Sequence, residues 1–295
     1  MASVQSKLFK VLLRLINKKG HAGTIALTKT RFYDCPEPPP SVKKACHVRK
    51  SQIQGHNVFT LEPKGVDSAK HVLYLHGGAY TQNFLVFHWW FLAKLARKAH
   101  CIITAPDYPL APEHTYTDTF EMVSTLYRQL ITVAAPSQLT IMGDSAGGGL
   151  ALALAQKMKV EQVCPPGQII LLSPWLDITL ANPDIPEKEA EDLLLNKERL
   201  QRAGLLYAGG AQPDHYLLSP INGPLDGLGM ISVFVGSNEI LVADTRRLRS
   251  LAGSKGIKFN YYEYAGMMHD WMLLNFPESK QAARQIVDLL NPIQV

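Results

Sequence analysis

Short apolar runs alternating with helix-length segments predict an α/β protein, with a mostly parallel central sheet covered by helices on both faces. Three observations carry this prediction. Strand-like stretches such as His71–Leu75 and Gln168–Leu172 are almost wholly apolar, as strands buried on both faces are. The segments between them are long enough for crossover helices. The 295 residues, 46% hydrophobic and 19% charged, suffice for one large domain with a sizeable core.

The elements follow in order. Residues 4–19 carry Leu8, Val11, Leu12, Leu15 and Ile16 at helical spacing, interspersed with Lys7, Lys10, Arg14, Lys18 and Lys19. Charges inside the apolar run argue against a signal peptide. A helix folded onto the protein's own core is expected, and membrane attachment is not, although a basic amphipathic helix is also compatible with a membrane surface. Pro36 to Pro40 is stiff and separates an N-terminal segment, residues 1–43, from an α/β domain at 44–295. Strands are read at 47–50, 58–62, 71–75, 101–104, 139–142, 168–172, 231–235 and 259–264. Helices are read at 89–99, 120–132, 148–158, 244–253 and 278–290. The stretch between Leu172 and Ile231 is too long for a simple crossover. With its acidic run from Glu187 to Asp192 and a helical patch at 197–207, it reads as an insertion at about 179–220. Together with residues 1–43 it is expected to form a mainly helical cap.

The net charge of +5 is not gathered into a basic stripe, so no nucleic-acid partner is expected. Cys35, Cys46, Cys101 and Cys164 lack metal-type spacing. Cys101 reads as a core residue. A Cys35–Cys46 disulfide stays open, but nothing points to secretion, so a reduced cytoplasmic protein is expected.

Chemistry concentrates at Gly143-Asp144-Ser145-Ala146-Gly147, which lies between the strand at 139–142 and a run of helix formers. A serine on so sharp a strand-to-helix turn needs glycines on either side, and the following helix points its free N–H groups at it. Such a serine requires a base, and the base an orienting acid. Downstream histidines are His215, inside the insertion, and His269, on a loop after the strand 259–264; the latter is the expected base. Glu239, the first carboxylate after the strand 231–235, is the expected acid, with Asp244 the competing candidate at a helix start. His76-Gly77-Gly78-Ala79-Tyr80 follows the strand 71–75, and the N–H groups of Gly77, Gly78 and Ala146 are expected to form an oxyanion hole. Tyr80, Phe84 and Trp89 are candidate pocket residues, though aromatics at helical spacing also suit a core. Asp144, Asp107, Glu113 and Asp177 read as loop braces.

These blocks, together with Asp107 to Glu113 and Ser173-Pro174-Trp175-Leu176-Asp177, resemble the marker motifs of the bacterial hormone-sensitive-lipase-like esterases of the α/β-hydrolase superfamily. The resemblance covers roughly residues 70–290. It implies an α/β-hydrolase fold, a cap, and cleavage of small carboxylic esters of short to medium chain length through an acyl-enzyme, without metal or cofactor; members often form homo-oligomers. Two departures stand out: the family's acid is usually aspartate where Glu239 stands, and arginine usually follows the tyrosine that here precedes Pro109. An amide hydrolase or deacetylase with the same residues, or a non-catalytic binding relative, are the alternatives; His269 speaks against the last. A neutral imidazole base implies activity that falls on the acid side around ~6–7.

Overall fold

The computed structural model describes residues 2–17, 31–66 and 68–292. Eight strands form one sheet: β1 (Cys46–Ile53), β2 (His56–Pro63), β3 (His71–Leu75), β4 (Ile102–Pro106), β5 (Leu139–Asp144), β6 (Gln168–Leu172), β7 (Met230–Gly236) and β8 (Phe259–Tyr264). Their spatial order is β1-β2-β4-β3-β5-β6-β7-β8. The first two form a hairpin whose turn residues, Gln54 and Gly55, both take positive φ (51° and 82°), as a two-residue turn matched to strand twist requires. β2 runs antiparallel to β4, and every later pairing is parallel. The mostly parallel sheet read from the sequence is therefore observed.

β3 lies between β4 and β5, so the chain leaves β3 to one side and then crosses back to the other. At such a reversal the loops diverge and leave a crevice at the strands' carboxyl ends. The register pairs Leu75 with Gly143, which sets the loop after β3 beside the turn after β5. All residues of these two central strands are buried. Along β3, Leu73 and Leu75 face one core cluster, while Val72 and Tyr74 face the other. The first cluster is completed by α4 (Tyr116–Val133), α5 (Ser145–Val160) and α8 (Val242–Ser254), the second by α3 (Val86–Ala99) and α9 (Pro277–Leu290). Two shorter helices are α2 (Pro40–Ala45), just before β1, and α6 (Ile185–Glu191).

The stretch between β6 and β7 contains α6 and α7 (Lys197–Ala208). Tyr207 of α7 stacks flat on Tyr80, with ring centroids 3.8 Å apart, and so fastens the insertion to the loop after β3. α1 (Val4–Asn17) packs Phe9 against Phe276, and Lys10 Nζ donates to the Gly266 carbonyl at 2.8 Å. Its opposite side leaves Val4, Leu8, Val11 and Leu12 exposed, so only part of the apolar surface expected to fold inward does so. Residues 18–30, including the expected helix end at Lys18 and Lys19, lie outside the described residues. All four cysteines are free thiols, with Cys46 and Cys101 buried, so the disulfide left open above is not formed.

The tightest backbone approach to a glycine lies at the turn after β5. A Cβ on Gly147 would sit 2.0 Å from the Leu75 carbonyl oxygen and 2.4 Å from that of His76. Both neighbours are backbone of a central strand and its loop, and neither can yield cheaply. Gly147→Ala is expected to cost at least ~3 kcal/mol, read as a lower midpoint in urea unfolding or as loss of soluble protein.

Candidate active site

β5 delivers the chain to Asp144, and α5 begins immediately at Ser145, three residues earlier than the sequence reading placed it. Ser145 takes φ 51°, the left-handed region that a side chain normally avoids. Gly143 makes room behind it, since a Cβ there would meet the Gly147 carbonyl oxygen at 2.2 Å. The strain turns the Ser145 hydroxyl out of the helix, toward the loops of neighbouring strands.

His269 sits on the loop after β8, and its Nε2 lies 2.9 Å from Ser145 Oγ. Its Nδ1 lies 3.2 Å from Glu239 Oε1. The other carboxylate oxygen of Glu239 accepts from Ser173 Oγ at 2.8 Å and from the Gly236 N–H at 3.2 Å. Glu239 is wholly buried, and these donors fix which oxygen faces the imidazole. The two loops are tied together, because Asn238 N–H donates to the Met267 carbonyl and Gly266 N–H to Ser237 Oγ. The structure thus brings Ser145, His269 and Glu239 into one hydrogen-bonded row, an arrangement able to move a proton from a hydroxyl to an imidazole. Asp244 is elsewhere, in the first turn of α8, where Oδ1 accepts from Asn182 Nδ2 at 2.9 Å. His215 is in the insertion, where its ring tilts against Tyr116 and Tyr216.

Asp144 braces the site from behind. Its Oδ1 accepts from the Tyr74 hydroxyl and from the Gly77 N–H at 3.0 Å, and its Oδ2 lies 3.1 Å from His88 Nε2. Leu85 N–H donates to His88 Nδ1, which leaves the ring proton on Nε2, facing Asp144. One expectation is corrected here. The Gly77 N–H is committed to Asp144 and is not free for a substrate oxygen. Gly78 and Ala79, at φ 115° and 52°, follow it, and their N–H groups donate to no described residue.

The aromatic expectations are also corrected. Phe84 and Trp89 are fully buried and stack on each other; His76 packs on Phe84, Phe59 on Trp89, and the Trp89 indole N–H donates to the Cys35 carbonyl. With their faces covered, they are core and not pocket wall. Tyr80 is sandwiched between Tyr207 and Trp175 and is likewise buried.

Sequence reasoning missed three participants. Ser173, at φ 41°, orients Glu239. Asp192, read only as part of an acidic run, is half-buried, and its Oδ2 accepts from the Ile240 N–H at 2.8 Å, binding the insertion to the Glu239 loop. Asp270 places Oδ2 3.1 Å from His269 Nε2. An acidic residue next to a candidate base was the one signal available for it. Among the described residues, no group of three or more His, Cys, Asp or Glu side chains is placed to hold a metal ion.

Sheet order and serine turn together define an α/β hydrolase using a serine nucleophile. The comparisons give the family: a model described as the alpha/beta hydrolase fold matches residues 72–273, and the chain belongs to that family. It is 34% identical over 229 residues to an esterase of Acinetobacter venetianus, covering 76% of this chain and 75% of that one. It is 32% identical to an acetyl-hydrolase of Streptomyces hygroscopicus, covering 72% of each. A solved esterase from the bacterial hormone-sensitive lipase family superposes with a TM-score of 0.85 at 28% identity, over 98% of both chains. The protein is a serine ester hydrolase of the hormone-sensitive-lipase-like kind.

Burial pushes the Asp244 carboxyl up from 3.8 to about 6, against the pull of Asn182. Its Oδ2 is buried and has no described partner. A raised carboxyl favours the folded state below its unfolded value and loses that contribution as pH rises through about 6. Asp244→Asn is therefore expected to stabilise the protein at pH 7 by ~1–3 kcal/mol and to flatten the pH 4–6 portion of its melting-temperature profile, measured by calorimetry.

Proposed function

We propose that the chain is a carboxylesterase that works through Ser145, His269 and Glu239 by way of an acyl-enzyme. The observation that carries this reading is His269 held between Ser145 Oγ at 2.9 Å and Glu239 Oε1 at 3.2 Å. Ser145 attacks the ester carbonyl while its proton passes to Nε2. Glu239 stabilises the imidazolium through Nδ1–H, as the orienting acid of such a row does. Nε2–H then protonates the leaving alcohol, and water releases the acyl group through the same base. Glutamate replaces the usual aspartate without loss of reach, because Ser173 and the Gly236 N–H hold its far oxygen.

The tetrahedral oxyanion is received by the N–H groups of Gly78, Ala79 and Ala146. Ala146 lies in the first turn of α5, where a backbone N–H has no helical partner and the dipole favours negative charge. The described parts of the N-terminal segment, residues 2–17 and 31–43, and the insertion at about 179–220 act as a cap over the strand ends. The Tyr80–Tyr207 stack and the Asp192 contact hold the insertion close to the nucleophile and favour short to medium acyl groups. The Streptomyces relative named an acetyl-hydrolase is in keeping with this preference.

The test is a series of p-nitrophenyl esters from acetate to laurate, with matching anilides. Turnover should be highest on the shorter esters and negligible on anilides; preference for anilides would make the protein an amide hydrolase. Ser145→Ala should lower kcat by ~10⁴-fold or more, and retained turnover would exclude it as nucleophile. Glu239→Gln should lower kcat by ~10²–10⁴-fold, while Asp244→Asn should leave it within a few-fold.

A further inference from the structure

His269 has a second carboxylate as a neighbour that the row of Ser145, His269 and Glu239 does not require. Asp270 Oδ2 lies 3.1 Å from Nε2, the nitrogen that also faces Ser145 Oγ. The backbone arranges this contact, since Asp270 takes φ 49° and ψ 27°, which turns its side chain back beside the imidazole. It precedes the short 3₁₀ turn Trp271–Leu273, yet makes no side-chain capping bond to it. Its Oδ1 is buried with no hydrogen-bond partner among the described residues, so the contact to His269 is the one its carboxylate makes there.

A neutral imidazole with its proton on Nδ1 presents a lone pair at Nε2, and a carboxylate oxygen 3.1 Å away would repel it. The contact is favourable only when the ring carries its second proton: Nε2 makes its hydrogen bond with Ser145 Oγ, and the Asp270 carboxylate lies beside that bond as an opposite charge. Glu239 on the Nδ1 side makes the doubly protonated ring more favourable still. We propose that Asp270 is a positioning residue that holds a proton on His269 Nε2 in the resting enzyme, so that the base must release this proton before it can accept the one from Ser145. This rests on the catalytic roles proposed above. The step balances simply: the resting imidazolium loses one proton to water, and the neutral ring then takes the Ser145 proton as Oγ bonds to the ester carbon. Nε2–H, again beside Asp270, passes that proton to the leaving alcohol.

The charged groups around the ring point the same way. Glu239 faces Nδ1 from the loop after β7, Asp270 faces Nε2, and Asp192 approaches from the insertion. Behind the serine, Asp144 acts on Asp270, and Asp270 in turn acts on His88 and Tyr74. Burial of His269 would depress its imidazole, but Asp270 first and Glu239 second outweigh it and hold the ring well above its ordinary value. Burial likewise pushes Asp270 up to about 6, and the charge on His269 opposes that rise. The acid limb of activity therefore lies above the ~6–7 of an ordinary imidazole base.

The test is Asp270→Asn, which keeps shape and volume and tolerates the left-handed backbone. Two readouts are taken: kcat/KM on p-nitrophenyl acetate from pH 5 to 9.5, and direct NMR titration of the His269 ring. The variant's acid limb and ring pKa should both fall by about one to two pH units, the range for removing an adjacent opposite charge. At pH 6 the variant should outperform the native enzyme several-fold, while its plateau at pH 9 should be lower, since the imidazolium has lost a partner. A limb and a ring pKa both unchanged within about 0.3 pH units, in a variant of unchanged melting temperature, would overturn the proposal. Because NMR reads the ring without turnover, a fall in ring pKa with no esterase activity in either protein would instead strike at the catalytic reading.

Discussion

A serine held at φ 51° between two glycines is the constraint on which the rest of this structure depends. The turn exists only because Gly143 and Gly147 let β5, α5 and the end of β3 approach within distances that no Cβ would permit. That crowding fixes where the loop after β3 runs, since the Leu75 and His76 carbonyls are the atoms that Gly147 faces. It also points the hydroxyl at the loops after β7 and β8. A helix starting one residue later, or a strand pair one register away, would turn the hydroxyl to another face and leave His269 without a partner.

Around that point buried carboxylates tie the loops together through hydrogen bonds. Asp144 gathers Tyr74, Gly77 and His88 from three elements behind the serine. Glu239 is held by Ser173 and Gly236 on one oxygen and by His269 on the other. Asp192 reaches from the insertion to the backbone beside Glu239. Buried carboxylates are expensive unless several donors meet them. Here the donors come from separate loops, so the same bonds that satisfy the charges set the distances between the loops. Asp270 departs from this pattern: with one oxygen unpartnered among the described residues, it directs the other at the imidazole.

Much of this was legible in the chain. Parallel strands buried on both faces leave continuous apolar runs, and the strands fell within a few residues of where those runs lie. Ser145, His269 and Glu239 each follow a strand, which is why they could be singled out as candidates; the structure brings these three side chains together and leaves Asp244 apart. The Gly77 N–H was read as free for a substrate oxygen. That it is not free requires knowing that Asp144 claims it, a contact across 67 residues. Phe84 and Trp89 were misassigned because stacking partners such as Phe59 and His76 come from other elements. Asp192 was not singled out because the backbone N–H it meets belongs to a distant loop.

The sequence by itself determined the fold class, the sheet's parallel character and the glycine-flanked serine turn. Those features depend on local hydrophobic period and on the steric demand for glycine at one turn, and both are properties of neighbouring residues. Only the tertiary structure decided which N–H groups remain free, which aromatics are core, and that two carboxylates flank one imidazole. These are outcomes of competition for donors and space among segments far apart in the chain, and no local pattern records who wins.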